Sequence, residues 1–472
     1  MRGARSVSQK KRANPSIAFL ALVLLASAVA QPSGADPGPA PRAPANAAAA
    51  LRSTMTLIAG RVAADLGSTA KDPAVFVAQL RSDEPAPRGA ELASKLGALV
   101  AGALGTGASA RPEPVALATA QAMTRGAKWL VYVQAEVARG QLQINADAYR
   151  ATHSVWERAR QPTPAPVAHG FASGRIDGEV RAYLGPVPLV ANRVDRIGLD
   201  ERDVVAIACG DVGDGGGLEV VTLSRRRVTI GRARGGRFVP RESAALRELS
   251  GIAPAPLREP VGGVAIVTPP GRRAAYIDVG ITDRARGSRL DVDLHPVGSV
   301  AGVPFATPNG DACTTFQGST LDAGVTKCAD ADPPLDPSDI DTPLDTGAAA
   351  SYVTADGAVR TILATRDPRT AELKVRADGK TASLPGAGAQ VAVADLDQDG
   401  APEVISTLDV LPQSPSGQSD ALVISTWQPD GSLRERTRMP VPSGIRAVAA
   451  CPPEGGQAAV VLATQGELWI VR

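Results

Sequence analysis

An internal repeat in the second half of the chain constrains the fold more than any other feature. Its strongest copies each place a strand of small apolar residues directly before a turn, at residues 204–211, 391–395 and 447–451. A second and a third apolar strand follow each turn, and weaker copies lie at 264–279 and 352–364. A unit of about 40 residues with three or four strands cannot bury both of its faces alone, so such units stack around an axis. The repeat therefore predicts an all-β propeller.

The number of copies sets the expected number of blades. Five copies are visible between about residue 190 and the end of the sequence, and the length has room for six or seven. We therefore predict a propeller of five to seven blades over residues 187–472. The last strand, at residues 467–471, needs a partner, because an open sheet edge invites pairing with other chains. We expect residues 187–192 to supply that partner strand.

One repeat carries an acidic loop with the spacing of a cation site. Residues 391–407 read VAVADLDQDGAPEVIST. The oxygen-bearing residues at positions 1, 3, 5, 7 and 9 of this loop are Asp395, Asp397, Asp399, the carbonyl of Ala401, and Glu403. Gly400 at position 6 permits the sharp bend that brings these oxygens together. The spacing predicts a Ca²⁺ site, and the alternative is an acidic turn in solvent.

This segment resembles the FG-GAP/VCBS repeat of integrin-type and bacterial secreted propellers. The resemblance implies a Ca²⁺-binding loop, and its single well-formed copy favours a structural ion that clamps one hairpin. The turn of the first copy keeps acids at Asp211 and Glu219 but has glycines at the third and fifth positions. It is either a weaker second site or a turn that retains only glycines for positive φ. The last copy, at residues 452–456, has no ligand set.

The first thirty residues have the features of a secretory signal peptide. Five basic residues precede the apolar run at 17–30, which ends in Ala28-Val29-Ala30, so we predict cleavage after Ala30. The run is shorter than the roughly 20 residues of a membrane span, and an uncleaved anchor is the alternative. Residues 31–50 are a Pro/Ala-rich linker. The protein is predicted to be secreted or periplasmic, with or without association with the cell envelope. We predict no transmembrane span in the mature chain.

Charge and composition argue against a nucleic-acid partner. Without residues 1–30 the chain has 45 basic and 48 acidic residues, a net charge of −3. That balance creates no field that attracts nucleic acid or anionic lipid. Fifteen aromatic residues in 472 are also few for a base-stacking surface.

All four cysteines lie in the predicted exported part. Cys313 and Cys328 are close in sequence, and an oxidising compartment favours a disulfide between them. Cys209 and Cys451 occupy matching places in two repeats, so they either pair across the ring or remain buried free thiols. The same region contains a Gly/Asp-rich, proline-rich insert at residues 307–347. It is either a solvated excursion, a second looser Ca²⁺ locus or a partner-binding loop.

Residues 51–160 show a different pattern and predict a small α/β module. Apolar residues at helical spacing start at Leu51 and again at Leu92, a third helix is expected at 115–123, and a β-rich run lies at 74–80. Alternating residues on both sides of Arg139-Gly140 then predict a hairpin. The module resembles the α/β domains of envelope proteins of the CsgG, FlgO and TolB-N-terminal type, which implies assembly or partner docking. Residues 161–186 are interpreted as a Pro-rich hinge.

The sequence lacks the motifs of common enzymes. It contains no G-x-S-x-G, H-E-x-x-H or Walker sequence, and its three histidines are scattered. We therefore expect an exported, non-catalytic binding or envelope scaffold that meets a protein or cell-envelope component. The alternative is a secreted propeller hydrolase or lyase with carboxylates in its central channel. A third possibility is that the α/β module carries the binding function and the propeller is a spacer.

Overall fold

The computed structural model describes most of the chain from residue 53 onward. The described residues are 53–67, 72–105, 107–124, 127–151, 156, 165–185, 187, 191–210, 212, 219–250, 260–267, 275–307, 310–316, 323–329, 340, 343–410, 419–454 and 457–472. The predicted signal peptide and linker therefore lie outside the described residues. From residue 46 onward the chain groups into one compact unit. Within the described residues, no helix has the length and apolar composition needed to cross a membrane.

The first part of the described chain is a mixed sheet with helices on it. Its elements in chain order are α1 (Thr54–Leu66), β1 (Ala74–Val77), β2 (Arg81–Ser82), α2 (Gly89–Leu104), β3 (Ser109–Ala110), α3 (Leu117–Met123), β4 (Trp129–Ala138), β5 (Gln141–Arg150), β6 (Ala168–Arg175) and α4 (Gly178–Arg181). The strand order is β3-β1-β4-β5-β6, and β2 also pairs with β4. Strand β1 is parallel to β3 and β4, whereas β4, β5 and β6 are antiparallel.

Helical spacing and alternation explain this sheet. Helix α1 buries Met55, Ile58, Val62 and Leu66, and these pack with the inward-facing residues of β4 and β5 in one core. Positive φ angles at Arg139 and Gly140 allow the two-residue turn that joins β4 to β5. The predicted helices and hairpin of residues 51–150 are therefore present, whereas their separation as an independent domain stays a prediction.

The hinge interpretation of residues 161–186 was wrong for its second half. Residues 168–175 form β6, which pairs with β5 over its whole length. The pattern was hidden because the inward-facing positions that meet α1 include glycines. A Cβ at Gly170 would lie 2.8 Å from the carbonyl oxygen of Val62, and one at Gly174 would lie 2.6 Å from Cγ2 of Thr54. Close contact with α1 therefore requires glycine at these two positions, and glycine does not show up in an alternating apolar pattern.

The rest of the described chain is almost entirely β-strand. Strand β7 (Val194–Gly198) comes first, and the groups that follow are β8–β11 (Val204–Gly210, Glu219–Ser224, Arg227–Arg234, Arg237–Ala245), β12–β15 (Gly262–Val267, Tyr276–Ile281, Gly287–Leu290, Pro296–Val300), β16–β18 (Val303–Thr307, Gly310–Phe316, Ala323–Lys327), β19–β22 (Thr346–Val353, Val359–Asp367, Glu372–Ala377, Lys380–Pro385), β23–β26 (Ala387–Ala394, Glu403–Leu408, Asp420–Trp427, Leu433–Val441) and β27–β29 (Ala447–Glu454, Gln457–Ala463, Glu467–Val471). A short helix, α5 (Leu246–Ser250), follows β11. Within each group, consecutive strands are antiparallel neighbours.

The first strands of these groups form a closed ring. Strand β8 contacts β12, and the contacts continue through β16, β19, β23 and β27 back to β8. Apolar clusters fill the spaces between adjacent groups, for example between β20–β21 and β23–β24 and between β24–β25 and β27–β29. The arrangement is propeller-like, and the described residues form six strand groups around one axis.

Strand pairing joins the two ends of the ring. Strand β29 pairs antiparallel with β7, from Glu467 opposite Gly198 to Val471 opposite Val194. The last group therefore contains one strand from the start of the ring, as expected for a propeller without an open edge. The predicted position of that strand, residues 187–192, was wrong, since β7 begins at Val194. Strand β7 also shares one registered pair with β11, which merges two groups into an eight-strand sheet.

The predicted insert at residues 307–347 is partly a regular strand group. Residues 310–316 and 323–327 are β17 and β18, which pair with β16 in a three-stranded sheet. Interpretation of this part as a solvated excursion was therefore wrong. The acidic run at 330–339 lies outside the described residues.

Both cysteine pairs are disulfide-bonded. Cys313 bonds Cys328 across 15 residues between β17 and the end of β18, and Cys209 bonds Cys451 across 242 residues between β8 and β27. The second bond links β8 and β27, the inner strands of the first and last strand groups. It therefore closes the ring covalently, at the same place where β7 and β29 close it by strand pairing.

We expect the long-range disulfide to contribute more stability than the short one. On the chain-entropy model, closing a loop of 242 residues contributes roughly 5 kcal/mol, against roughly 3 kcal/mol for 15 residues. The Cys209→Ala/Cys451→Ala double variant should therefore lose more free energy of unfolding in guanidinium than the matched Cys313→Ala/Cys328→Ala variant. Equal losses would contradict this assignment of the ring-closing bond.

Candidate functional site

The acidic loop connects β23 to β24 at one end of its strand group. Ala394 and Glu403 are paired in register, so the eight residues between them form a tight turn. The backbone of this turn has positive φ at Gln398 (59°) and Gly400 (83°). Glycine adopts a positive φ without strain, which is the role predicted for Gly400.

Three of the predicted ligands converge. Carboxylate oxygens of Asp395, Asp397 and Glu403 all lie within 4.8 Å of one another. Glu403 is fully buried, and Asp397 is 9% exposed. None of the three forms an ion pair within the described residues, although Arg436 is near enough to lower the pKa of Asp397.

Hydrogen bonds hold these carboxylates without using all their oxygens. Glu403 accepts from the backbone N–H of Leu396 at 2.8 Å and from the hydroxyl of Thr426 at 3.0 Å. One oxygen of Asp395 accepts from the N–H of Gly400 at 3.1 Å. The other oxygen, Oδ1 of Asp395, is buried and has no hydrogen-bond partner among the described residues. A buried carboxylate oxygen without a donor favours a cation at this point.

Asp399 lies beside these carboxylates, and its charge helps to raise the pKa values of Asp395 and Asp397. Its side chain is exposed and accepts the N–H of Ala401 at 2.7 Å, so it stabilises the turn. It does not belong to the group of converging oxygens, which has three members in this part of the chain. Ligation by Asp399 and by the carbonyl of Ala401 stays a prediction.

Burial and mutual repulsion raise the pKa values of the converging acids. Desolvation is the main cause for each, followed by neighbouring carboxylates. The pKa of Asp395 is raised to about 7 and that of Glu403 to about 9, and the pKa of Asp397 is also raised. In the absence of a cation, the loop therefore holds protons at neutral pH that the same acids release in an unfolded chain.

These raised pKa values predict how pH changes the stability of the cation-free protein. The acids favour the folded state most strongly below their unfolded pKa of about 4. That contribution decreases as the pH rises above about 4 and is fully lost once the pH has passed about 7 for Asp395 and about 9 for Glu403, where each ionises in the folded protein. The Asp395→Asn/Glu403→Gln variant should lose less stability than the wild type between pH 5.5 and 8.5, measured by urea unfolding in metal-free buffer. Parallel pH profiles would contradict the prediction.

In the first repeat, the buried carboxylate of Glu219 lies next to arginines, whereas the acids of the acidic loop lie next to one another. Glu219 is 1% exposed, accepts from Nε of Arg241 at 3.0 Å and lies 3.5 Å from Nε of Arg232. These guanidinium groups supply positive charge to the carboxylate, whose Oε2 is buried without a hydrogen-bond partner among the described residues. Cation binding at this turn stays a prediction. Asp211 lies outside the described residues.

In two other strand groups, a buried acid is also bound by an arginine. In the β12–β15 group, Asp278 is fully buried and binds Arg289 through both oxygens at 2.8 and 2.7 Å. Before β19, the buried Asp345 binds Arg366 at 2.5 Å. The acidic loop differs from these sites because its acids have one another as neighbours and no bound arginine among the described residues.

The central channel is lined mostly by small residues of the ring strands. Its cavity has a volume of about 230 Å³, and the lining includes Ala206, Val264 and Ala349. Asp345 is the one carboxylate in the described lining, and it is bound to Arg366. Two converging acids, which the hydrolase alternative requires, are not found in this lining.

Sequence reasoning missed a second acidic cluster and a contact between a histidine and an aspartate. Asp291, Asp293 and His295 converge in the turn between β14 and β15, where Asp293 and His295 are exposed and both donate backbone N–H groups to Asp291. On the sheet, Nδ1 of His169 lies 2.7 Å from Asp147. The alternating spacing of Asp291, Asp293 and His295 is visible in the sequence, whereas the contact of His169 with Asp147 depends on the pairing of β5 with β6.

Comparison with known proteins identifies no family. No known protein family matches the chain, and no curated protein matches it. Solved structures that resemble it include a streptogramin B lyase (12% identity, 59% of this chain and 97% of that chain, TM-score 0.32) and the hydrazine synthase of Kuenenia stuttgartiensis (13%, 57% and 76%, TM-score 0.34). A third is BBS1N in complex with ARL6DN (10%, 58% and 92%, TM-score 0.31). At these TM-scores, the fold assignment rests on the strand pairing and the closed ring.

Proposed function

We propose that the chain is an exported, non-catalytic binding or cell-envelope scaffold, built on a calcium-stabilised propeller of the FG-GAP/VCBS type. The observation that carries the proposal is the acidic loop, where Asp395, Asp397 and Glu403 converge and Oδ1 of Asp395 has no hydrogen-bond partner among the described residues. Hard divalent cations such as Ca²⁺ prefer such oxygen ligands. The site lies in a turn at the end of a strand group and outside the channel lining, which suits a structural ion.

The residues present fit a bound calcium ion. Asp395, Asp397 and Glu403 would hold it with carboxylate oxygens, and Asp399 keeps the turn closed through Ala401. A bound divalent cation supplies positive charge that offsets the repulsion of the carboxylates. The chain's own contribution is to hold β23 and β24 together at the turn, with Thr426 of β25 orienting Glu403.

Export is supported by two features of the chain. The first thirty residues have the pattern of a signal peptide, and the described cysteines are all disulfide-bonded. Disulfides persist in oxidising compartments such as the periplasm and the cell exterior. In this proposal, residues 51–185 and the propeller together present the surface that meets a protein or envelope partner.

Bacterial expression of the full chain tests the proposal. Its mature form should begin at Gln31 by mass spectrometry, fractionate outside the cytoplasm, and melt at a higher temperature in 10 mM calcium than in chelator by an amount that follows the ligand linkage relation. A chain that retains residues 1–30 in the cytoplasm would contradict export. A melting temperature that does not depend on calcium would contradict the structural role of the ion.

A further inference from the structure

The acidic loop lies directly against helix α4 of the N-terminal part. Nη2 of Arg181 donates to Oε1 of Gln398 at 3.0 Å, and both residues are buried. A Cβ on Gly178 would lie 2.8 Å from Cα of Gly400 and would collide with the carbonyl oxygen of Val353. The predicted cation loop is therefore also the surface on which α4 rests.

The contact residue is part of the ligand loop. Gln398 follows Asp397 directly, and its φ of 59° is rare for a residue with a side chain. The direction of its side chain therefore depends on the backbone of the turn that places Asp395 and Asp397. Any change in how these carboxylates are held moves the group that binds Arg181.

Helix α4 is connected in turn to the rest of the N-terminal part. Asp177 accepts the N–H of Val180 at 3.0 Å, which caps α4, and with its other oxygen accepts the N–H of Thr54 at the start of α1 at 2.8 Å. Arg181 also binds Glu84 at 2.6 Å. Helix α4 thus links the acidic loop to α1 and to the segment before α2.

The contact between α4 and its surroundings is polar, and two of its buried polar atoms have no hydrogen-bond partner among the described residues. Glu179 is 5% exposed and binds Nζ of Lys95 at 2.5 Å, but its Oε2 has no hydrogen-bond partner among the described residues. Nε of Arg181 is likewise buried without a partner in this part of the chain. Unsatisfied buried polar atoms reduce the stability of an interface, so this contact depends strongly on the loop that completes it.

We propose that a divalent cation in the acidic loop controls the docking of the N-terminal part on the propeller. This inference rests on the proposed calcium site. With the carboxylates drawn together, the turn presents Gln398 and Gly400 to α4. Without the ion, no ligand draws the carboxylates together, so the turn loosens, Arg181 loses Gln398, and α4 separates from the ring together with the elements it holds. The loop is then a calcium-dependent clamp between the two parts of the chain.

Hydrogen exchange of the full-length mature chain tests the clamp. With calcium, amides of residues 178–184 should exchange at least about fivefold more slowly than in chelator, the lower end of typical coupling between sites. Amides of β12–β15, far along the chain from the loop, serve as the internal reference. Calcium binding is measured in parallel by calorimetry.

The Gln398→Asn variant separates the clamp from the cation site. Asparagine tolerates positive φ, and its shorter side chain does not reach Arg181, while all predicted ligands remain. We expect loss of most of the protection at residues 178–184, because Arg181 loses its hydrogen bond to the loop. Calcium should still bind, with an affinity that falls by no more than the factor by which calcium slows exchange at α4, because coupling between two sites is reciprocal. Gln134→Asn, at an exposed position of β4, is the matched control and should behave as wild type.

The outcomes distinguish the inference from the proposed function. Absence of calcium binding would overturn both. Calcium binding that protects the loop but leaves exchange at α4 unchanged would overturn the clamp alone. Full protection of α4 in Gln398→Asn would also overturn it, whereas loss of protection with retained binding supports it.

Discussion

A chain that lacks residues 467–472 is expected to lose the cooperative unfolding transition of the ring. The deletion removes β29, whose Leu468, Trp469, Ile470 and Val471 are all buried. Burial of each large apolar side chain contributes about 1.5–3 kcal/mol, so the sum is comparable with the entire stability of a typical domain, about 5–15 kcal/mol. Deletion also leaves β7 and β28 with unpaired edges. Circular dichroism during thermal unfolding measures the effect.

The Arg472→Ala variant is the control for this deletion. It removes only the ion pair between Arg472 and Asp195 at 2.6 Å, in which both side chains are about one-third exposed. Such a pair contributes less than about 1 kcal/mol. The control should melt near the wild-type temperature. A truncated chain with the same melting temperature as the control would show that strand pairing at β7–β29 does not close the ring.

The Asp397→Asn variant is expected to become insensitive to calcium. With a dissociation constant of about 10⁻⁴ M, typical of the tighter extracellular modules, 10 mM calcium stabilises the wild type by about 2.7 kcal/mol. The variant keeps the shape of the side chain but removes one charge from the cluster, so this stabilisation should disappear. Because less repulsion remains, the variant in chelator should be at least as stable as the wild type in chelator at pH 8.5. Thermal unfolding with calcium and with chelator measures both effects.

A neighbouring exposed aspartate provides the control for this variant. Asp430 lies in the turn between β25 and β26 of the same strand group, where it accepts hydrogen bonds from Ser432. Asp430→Asn should respond to calcium like the wild type. A full calcium response in Asp397→Asn would place the cation elsewhere in the chain.

Much of the ring was predictable because its inner strands share one sequence pattern. Small apolar residues before a turn recur where β8, β23 and β27 pack around the narrow axis. Two strands of the β16–β18 group were missed because their sequences are polar and rich in threonine and glycine, without the small-apolar pattern. Strand β6 was missed because its contact with α1 demands glycine at Gly170 and Gly174.

The candidate site was predictable to the extent that it is local. Spacing alone brought Asp395, Asp397 and Glu403 together, because they belong to one turn and the first residue of the next strand. The role of Asp399 depends on the backbone of the turn, which directs its carboxylate to Ala401. The contact of Glu219 with Arg232 and Arg241 depends on pairing among β9, β10 and β11, which no spacing in the linear sequence reveals.

Calcium titration of the full-length mature chain by calorimetry tests the central claim most directly. The claim is that the convergence of Asp395, Asp397 and Glu403 in one turn of the ring makes a cation site. It predicts one ion bound per chain with a dissociation constant of about 10⁻⁴ to 10⁻³ M, and no binding by Asp395→Asn under the same conditions. Absence of binding in the wild type, or unchanged binding in that variant, would contradict it.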